Sequence, residues 1–205
     1  MMQLAEFAVA VIVISISGVM SPGPLFAANV AYGLREGTKT GLKMACGHTV
    51  VELPLVILLG IGALSFATIP QFRGIIAFFG AISLFVFAGI QIRSVLKKPT
   101  VVFEGKHGPF LAGIMLSALN PFFLTWWFTI GFKLILDALV IGSFVGIGIM
   151  FMFHIWMDYA WLCTVSFLSS KGKKILSNKN YIMFMITVSG VLVYFGVVFV
   201  KEALS

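Results

Sequence analysis

The run "ALVIGSFVGIGIMFMFHIWMDYAWLCTVSFL", residues 138–168, is apolar almost throughout. A helix needs about 20 mostly apolar residues to cross a bilayer, and this stretch is longer than that. Comparable stretches recur, with candidate spans near 7–32, 44–67, 74–92, 109–132, 139–168 and 181–200. Only helices and closed barrels satisfy every backbone polar group in lipid. A barrel would show segments of about ten residues that alternate in polarity, and runs such as "ISLFVFAGI" do not alternate. Of the 205 residues, 60% are hydrophobic and only 10% are charged, where soluble domains carry roughly 25% charged residues. The sequence therefore predicts an all-α integral membrane protein, multi-pass, with about six transmembrane helices in the cell (plasma) membrane.

The opening "MMQLAEFAVA" carries Glu6 and no Lys or Arg. A secretory leader opens on positive charge, so this segment reads as the first span. The formal charge of +7 is unevenly placed. Arg35, Lys39 and Lys43 fall in the first loop, Arg93, Lys97, Lys98 and Lys106 in the third, and Lys171, Lys173, Lys174 and Lys179 in the fifth. Arg73, Lys133 and Lys201 are left for the opposite side. Lys and Arg accumulate on the cytoplasmic side, which predicts loops one, three and five inside and both termini outside. Orientation explains the basic loops, and no nucleic acid partner is called for.

The polar stretch "LKKPTVVFEGKHGPF" divides the chain into halves of roughly 1–98 and 107–205 within one transporter domain. Each half holds three spans, so the second runs through the membrane in the opposite sense to the first. In each half the first span is interrupted, by "SPGP" at 21–24 and by "LNPFF" at 119–123, and the second span carries a histidine and an acid. This order of features is that of a 3+3 inverted repeat, in which broken helices build a midplane site between the halves.

Proline removes a backbone donor and clashes with the carbonyl four residues earlier, so Pro22 and Pro24 around Gly23 should open the first helix. Asn120 before Pro121 supplies a side-chain donor and acceptor at the matching place. His48 and Glu52, and again His154 and Asp158, are four residues apart, which puts each pair on one helix face. An acid at mid-membrane costs roughly 2.5–3.5 kcal/mol on insertion scales and marks ion or proton pathways. Glu52, Asp158, His48 and His154 are the expected proton-coupling residues. Pro54, just after Glu52, is expected to loosen the second helix.

The same His, Glu, His and Asp are suitable ligands for a divalent cation such as zinc or manganese, and metal export is the alternative reading. A more remote alternative is an intramembrane thiol–disulfide electron carrier using Cys46 and Cys163, neither of which has a companion thiol in sequence. No nucleophile–base constellation for an enzyme is legible, and no cofactor is expected. Gly142 with Gly146, and Ala77 with Ala81, have the small-x-x-x-small spacing of close helix packing, internal or between copies. Trp126, Trp127, Trp156 and Trp161 read as interface anchors or packing residues.

"SPGPLFAANVAYGLREGTKTGLKMACGHTVVEL" resembles the opening of the LysE/RhtB family of amino-acid exporters, and "LSALNPFFLTWWF" is similar to that family's Asn-Pro motif in the fourth span. The region around Asp158 looks like the family's fifth span with its single acid. The resemblance covers essentially the whole chain. It implies that Pro22, Gly23, Pro24, Asn120, Pro121 and Asp158 belong to a transport core, that export is driven by the proton motive force, and that a homodimer forms. In this chain Leu25 stands where the family usually has Asn after Pro-Gly-Pro, the nearest asparagine being Asn29, and Phe122 stands where it usually has Lys. With Glu52 as a second intramembrane acid, a cationic or zwitterionic amino acid, or a similar small metabolite, is the expected substrate.

Overall fold

The computed structural model describes residues 4–21, 23–67, 107–172 and 179–204, with scattered positions between 78 and 96. The helices are α1 (Leu4–Val19), α2 (Pro24–Glu36), α3 (Thr40–Ala67), α4 (Pro109–Ala118), α5 (Pro121–Trp126), α6 (Phe132–Ser170) and α7 (Lys179–Leu204). A π-helical turn, Trp127–Gly131, joins α5 to α6. Among the described residues there is no strand. The described positions from 78 to 96 are helical as well, while Pro22, Ala77 and most of the central linker lie outside the described residues.

Polarity is arranged inside out. Leu58, Val145, Met152 and Tyr194 are each more than 60% exposed, whereas Asn29, His48, Glu52, Lys133, His154 and Asp158 are buried. Apolar surface facing outward around a polar interior suits lipid, because intramembrane ionisable groups face the bundle interior.

Both expected interruptions are present. After α1 the chain makes a turn in which the Ser21 amide donates to the Gly18 carbonyl and the Gly23 amide to the Ser21 carbonyl. α2 then starts at Pro24, which fits a first helical position because its missing N–H would have no intrahelical partner. In the second half α4 ends at Ala118 with Leu119 as its C-cap, and Asn120 caps α5 by accepting the Phe122 amide on Oδ1 at 3.0 Å.

The 39-residue α6 is two arms. Gly142 (φ −154°, ψ 25°) and Ser143 (φ 52°, ψ −138°) leave helical geometry. A Cβ on Gly146 would lie 2.0 Å from the Ala138 carbonyl oxygen, although eight residues of straight helix span about 12 Å. The chain therefore doubles back at 142–143. The arm before the turn continues the fourth expected span to Ile141, and the arm after it begins beyond Ser143, so the expected boundaries of 132 and 139 shift. On the earlier arm Lys133 is neutralised one turn on: its Nζ donates to both Asp137 oxygens at 2.6 and 2.7 Å and sits 5.0 Å from the Phe199 ring. Lys133 is thus a buried helical residue, where a loop position was expected. Gly142 is non-helical, so it makes no shared helix face with Gly146. α3 also runs through Pro54 without a break.

α3 is central, packing on α4 and α6, while α2 and α1 also pack on α6. At the α3–α4 crossing a Cβ on Gly47 would meet the Phe110 carbonyl oxygen at 2.1 Å, and one on Gly113 the Met44 carbonyl oxygen at 2.4 Å. Backbones come this close only where side chains are absent, the usual small-residue device of membrane helices. The α2–α6 seam is tied by Asn29 Nδ2, which donates to the Leu162 carbonyl at 2.7 Å. Ser166 Oγ adds contacts to the Gly37 and Thr38 carbonyls, each at 3.1 Å.

Candidate functional site

The tight α3–α4 crossing sets the first half of the site. It brings Ser117 of α4 against His48 of α3, with Ser117 Oγ 2.6 Å from His48 Nδ1. The Ser117 hydroxyl donates to the Gly113 carbonyl at 2.7 Å, so its oxygen is left to accept from Nδ1–H. A neutral His48 held this way carries its proton on Nδ1, and its Nε2 lone pair points into the bundle.

The second half comes from the later arm of α6, whose packing on α3 brings the two expected pairs together. His48 Nε2 lies 3.3 Å from Glu52 Oε1 and 3.7 Å from Asp158 Oδ1. His154 Nε2 lies 3.1 Å from Glu52 Oε1 and 3.3 Å from Asp158 Oδ2. The last of these is an ion-pair separation without hydrogen-bond geometry, and Asp158 Oδ2 has no hydrogen-bond partner among the described residues. Trp127 Nε1 donates to Glu52 Oε1 at 3.1 Å. Three nitrogens thus crowd one oxygen of Glu52, while its Oε2 has no hydrogen-bond partner among the described residues. All four titratable side chains are buried.

The electrostatics follow from these positions. Two carboxylates within reach of one another repel in a low-dielectric interior unless protons or cations lie among them. The Nε2 lone pair of a neutral His48 faces the same oxygens and adds to that repulsion. A proton on any of the four groups relieves it, and so does a bound cation. The cluster is arranged to hold positive charge.

A cavity of about 70 Å³ opens beside it, larger than the roughly 10–15 Å³ that one water requires. Both helix breaks line it, through Gly18, Ser21 and Gly23 on one side and Ser117, Asn120 and Phe122 on the other. His48, Glu52, His154 and Asp158 complete the polar lining, and Phe26, Phe123, Trp126, Trp127 and Trp161 give it an aromatic wall. No Lys or Arg is among the described lining residues.

These features were separate expectations from sequence, and here they share one cavity. A sequence profile of the LysE type translocator matches residues 16–203. The chain belongs to the LysE type translocator family. Membership makes it a membrane transporter of small molecules. No curated protein and no solved structure matches the chain.

Not every expected residue of the translocator reaches the cavity. Gly23 lines it and Pro24 opens α2 beside it. Asn120 lines it while capping α5, and Pro121 takes the first helical position after that cap. Asn29 is buried away from the lining and bonds α2 to α6. Pro22 is outside the described residues. Cys46 and Cys163 are free thiols, and Cys46 Sγ is 3.7 Å from the Tyr159 hydroxyl.

Sequence reasoning passed over Ser117 and took Trp126 and Trp127 for anchors or packing residues, whereas all three line the cavity. Trp127 supplies a hydrogen bond to Glu52, and Trp126 packs beside His154 with ring centroids 5.5 Å apart. The one available signal for Ser117 was its place three residues before Asn120, on the same helix face as the break. Trp156, by contrast, is 53% exposed, as an outward-facing anchor would be.

Proposed function

We propose that the translocator exports an amino acid, or a similar small metabolite, in exchange for protons entering the cell. The observation that carries this reading is the shared cavity, in which both helix breaks meet Glu52, Asp158, His48 and His154. A zwitterion finds both of its ends provided for. Its ammonium group suits Glu52 Oε2 and Asp158 Oδ2, the carboxylate oxygens without hydrogen-bond partners among the described residues. Its carboxylate suits the start of α2, where Gly23 provides no side-chain cap and the first-turn amides carry partial positive charge. The start of α5 is less available, since Asn120 already occupies an amide there.

Exchange follows from competition for the same carboxylates. An ammonium group arriving at Glu52 and Asp158 supplies the positive charge that a proton supplied before, so a proton leaves as substrate binds. The reverse swap on the other side completes a cycle. His48, its tautomer set by Ser117, and His154 offer temporary seats for the departing proton.

In this reading the chain is one transporter domain of two three-span halves, residues 1–98 and 107–205, in inverted topology. Both termini lie outside the plasma membrane, and copies pair as a homodimer. The basic loops support that orientation. The test is flux in liposomes under an imposed pH gradient, using a panel of basic and neutral amino acids. Gradient-driven flux of at least one of them supports the proposal, and flux of none of them overturns it.

A further inference from the structure

The cluster has the spacing of a metal site as well as that of a proton site, a property that goes beyond the proposed export cycle although it uses the same side chains. We infer that His48, Glu52 and Asp158 bind a divalent transition-metal ion, with zinc the best fit. One ligand atom from each of the three residues lies within 4.8 Å of the other two. Zinc holds nitrogen and oxygen ligands at about 2.0–2.2 Å, which places neighbouring tetrahedral ligands about 3.3–3.5 Å apart. His48 Nε2 stands 3.3 Å from Glu52 Oε1 and 3.7 Å from Asp158 Oδ1, close to that edge length before any metal draws them in.

Two further observations separate this from a chance gathering of acids. Glu52 Oε2 and Asp158 Oδ2 are buried without hydrogen-bond partners among the described residues, on side chains that line the cavity and are 1% and 8% exposed. The supporting contacts are also those a metal site uses. A ligating histidine typically passes its other N–H to an acceptor that fixes ring and tautomer, and ligating carboxylates are themselves hydrogen-bonded. Ser117 Oγ stands at 2.6 Å from His48 Nδ1, and Trp127 Nε1 holds Glu52 Oε1 at 3.1 Å. Three protein ligands leave a fourth position open to the cavity for water or for a substrate carboxylate. With no thiolate in the set, nitrogen and oxygen donors favour zinc and its first-row neighbours over copper(I).

Metal ligands must be deprotonated to bind. Zinc therefore displaces the protons that the export cycle exchanges, and it inhibits gradient-driven flux from this site.

The experiment is calorimetric titration of the purified full chain in detergent with zinc chloride, at pH 7.5 and pH 5.5, alongside thermal unfolding. The expected result is one saturable site at pH 7.5, weakened at pH 5.5, with zinc raising the unfolding temperature of the native chain. Asp158→Asn and His48→Gln remove binding. Ser117→Ala retains the three ligands and weakens binding by about tenfold, the scale of an outer-shell loss. His107→Ala, at an exposed histidine far along the chain, leaves binding unchanged. Absence of saturable binding overturns the inference, as does binding that survives His48→Gln or is lost in His107→Ala. Zinc binding is read without transport, so the two readings fail separately: proton-coupled flux in a chain that binds no zinc rejects the metal site alone, and zinc binding without proton-coupled flux rejects the export cycle alone.

Discussion

Glu52 on α3 and His154 on α6, separated by 102 positions in the chain, meet with Oε1 and Nε2 3.1 Å apart. Each also has an i, i+4 partner on its own helix, so two local pairs become one four-membered cluster.

Neutralising either acid should uncouple transport. Glu52→Gln and Asp158→Asn each keep the side-chain shape but remove a charge that ammonium and proton compete for. Flux driven by a pH gradient in liposomes is expected to fall at least tenfold, which requires the loss of only about 1.4 kcal/mol of interaction. Retained gradient-driven flux in either variant would separate that acid from coupling.

Ser117→Ala should alter His48 without touching either acid. It leaves His48 Nδ1 buried without its 2.6 Å partner, a loss of about 1–3 kcal/mol. The tautomer is then no longer fixed, so the pH profile of flux is expected to shift, and Ser117→Thr should restore it. An unchanged profile in Ser117→Ala would mean that the hydroxyl only packs.

The α3–α4 crossing can be tested at a glycine. Gly47→Ala drives a methyl to within 2.1 Å of the Phe110 carbonyl oxygen, and overpacking of this kind costs about 1–3 kcal/mol. It also pushes Ser117 away from His48. Gly62, on the same helix, has nothing among the described residues within 4 Å of its Cβ position, so Gly62→Ala is expected to be neutral or stabilising by up to about 1 kcal/mol. Thermal unfolding of the two variants in detergent gives the comparison.

The sequence carried the presence of the polar pairs plainly, because a charge in an oily run has to be explained. It also marked both breaks, since proline has no amide to give a helix. It did not say which faces meet. A spacing of four fixes a stripe on one helix, whereas convergence depends on how α3 and α6 are rotated against each other, which packing decides. Ser117, Trp126 and Trp127 were hidden for a different reason: a serine or tryptophan in a membrane helix has many ordinary roles, and neither stands out by charge.

The turn at Gly142–Ser143 was illegible because apolar residues flank it on both sides, leaving no drop in hydropathy at the end of a span. Lys133 misled for a related reason. A lysine near a span end reads as a loop residue unless its Asp137 partner, one turn away, is counted with it.

Ser143 itself offers a stability prediction. A non-glycine residue at φ 52° and ψ −138° is strained by about 1–3 kcal/mol, and glycine adopts that geometry freely. Ser143→Gly is expected to raise the unfolding temperature, and a lowered one would contradict the tight reversal described for this segment.

The exchange of a proton for a bound ammonium group at Glu52 and Asp158 is the central claim, and proton release on binding tests it most directly. Purified protein in weak buffer with a pH-indicating dye would be mixed with the amino acid that the flux panel selects, and calorimetry would confirm that the amino acid binds. The wild type should release protons as the amino acid binds, and Glu52→Gln and Asp158→Asn should each reduce or abolish that release. Binding without proton release in the wild type, or undiminished release in both variants, would contradict it.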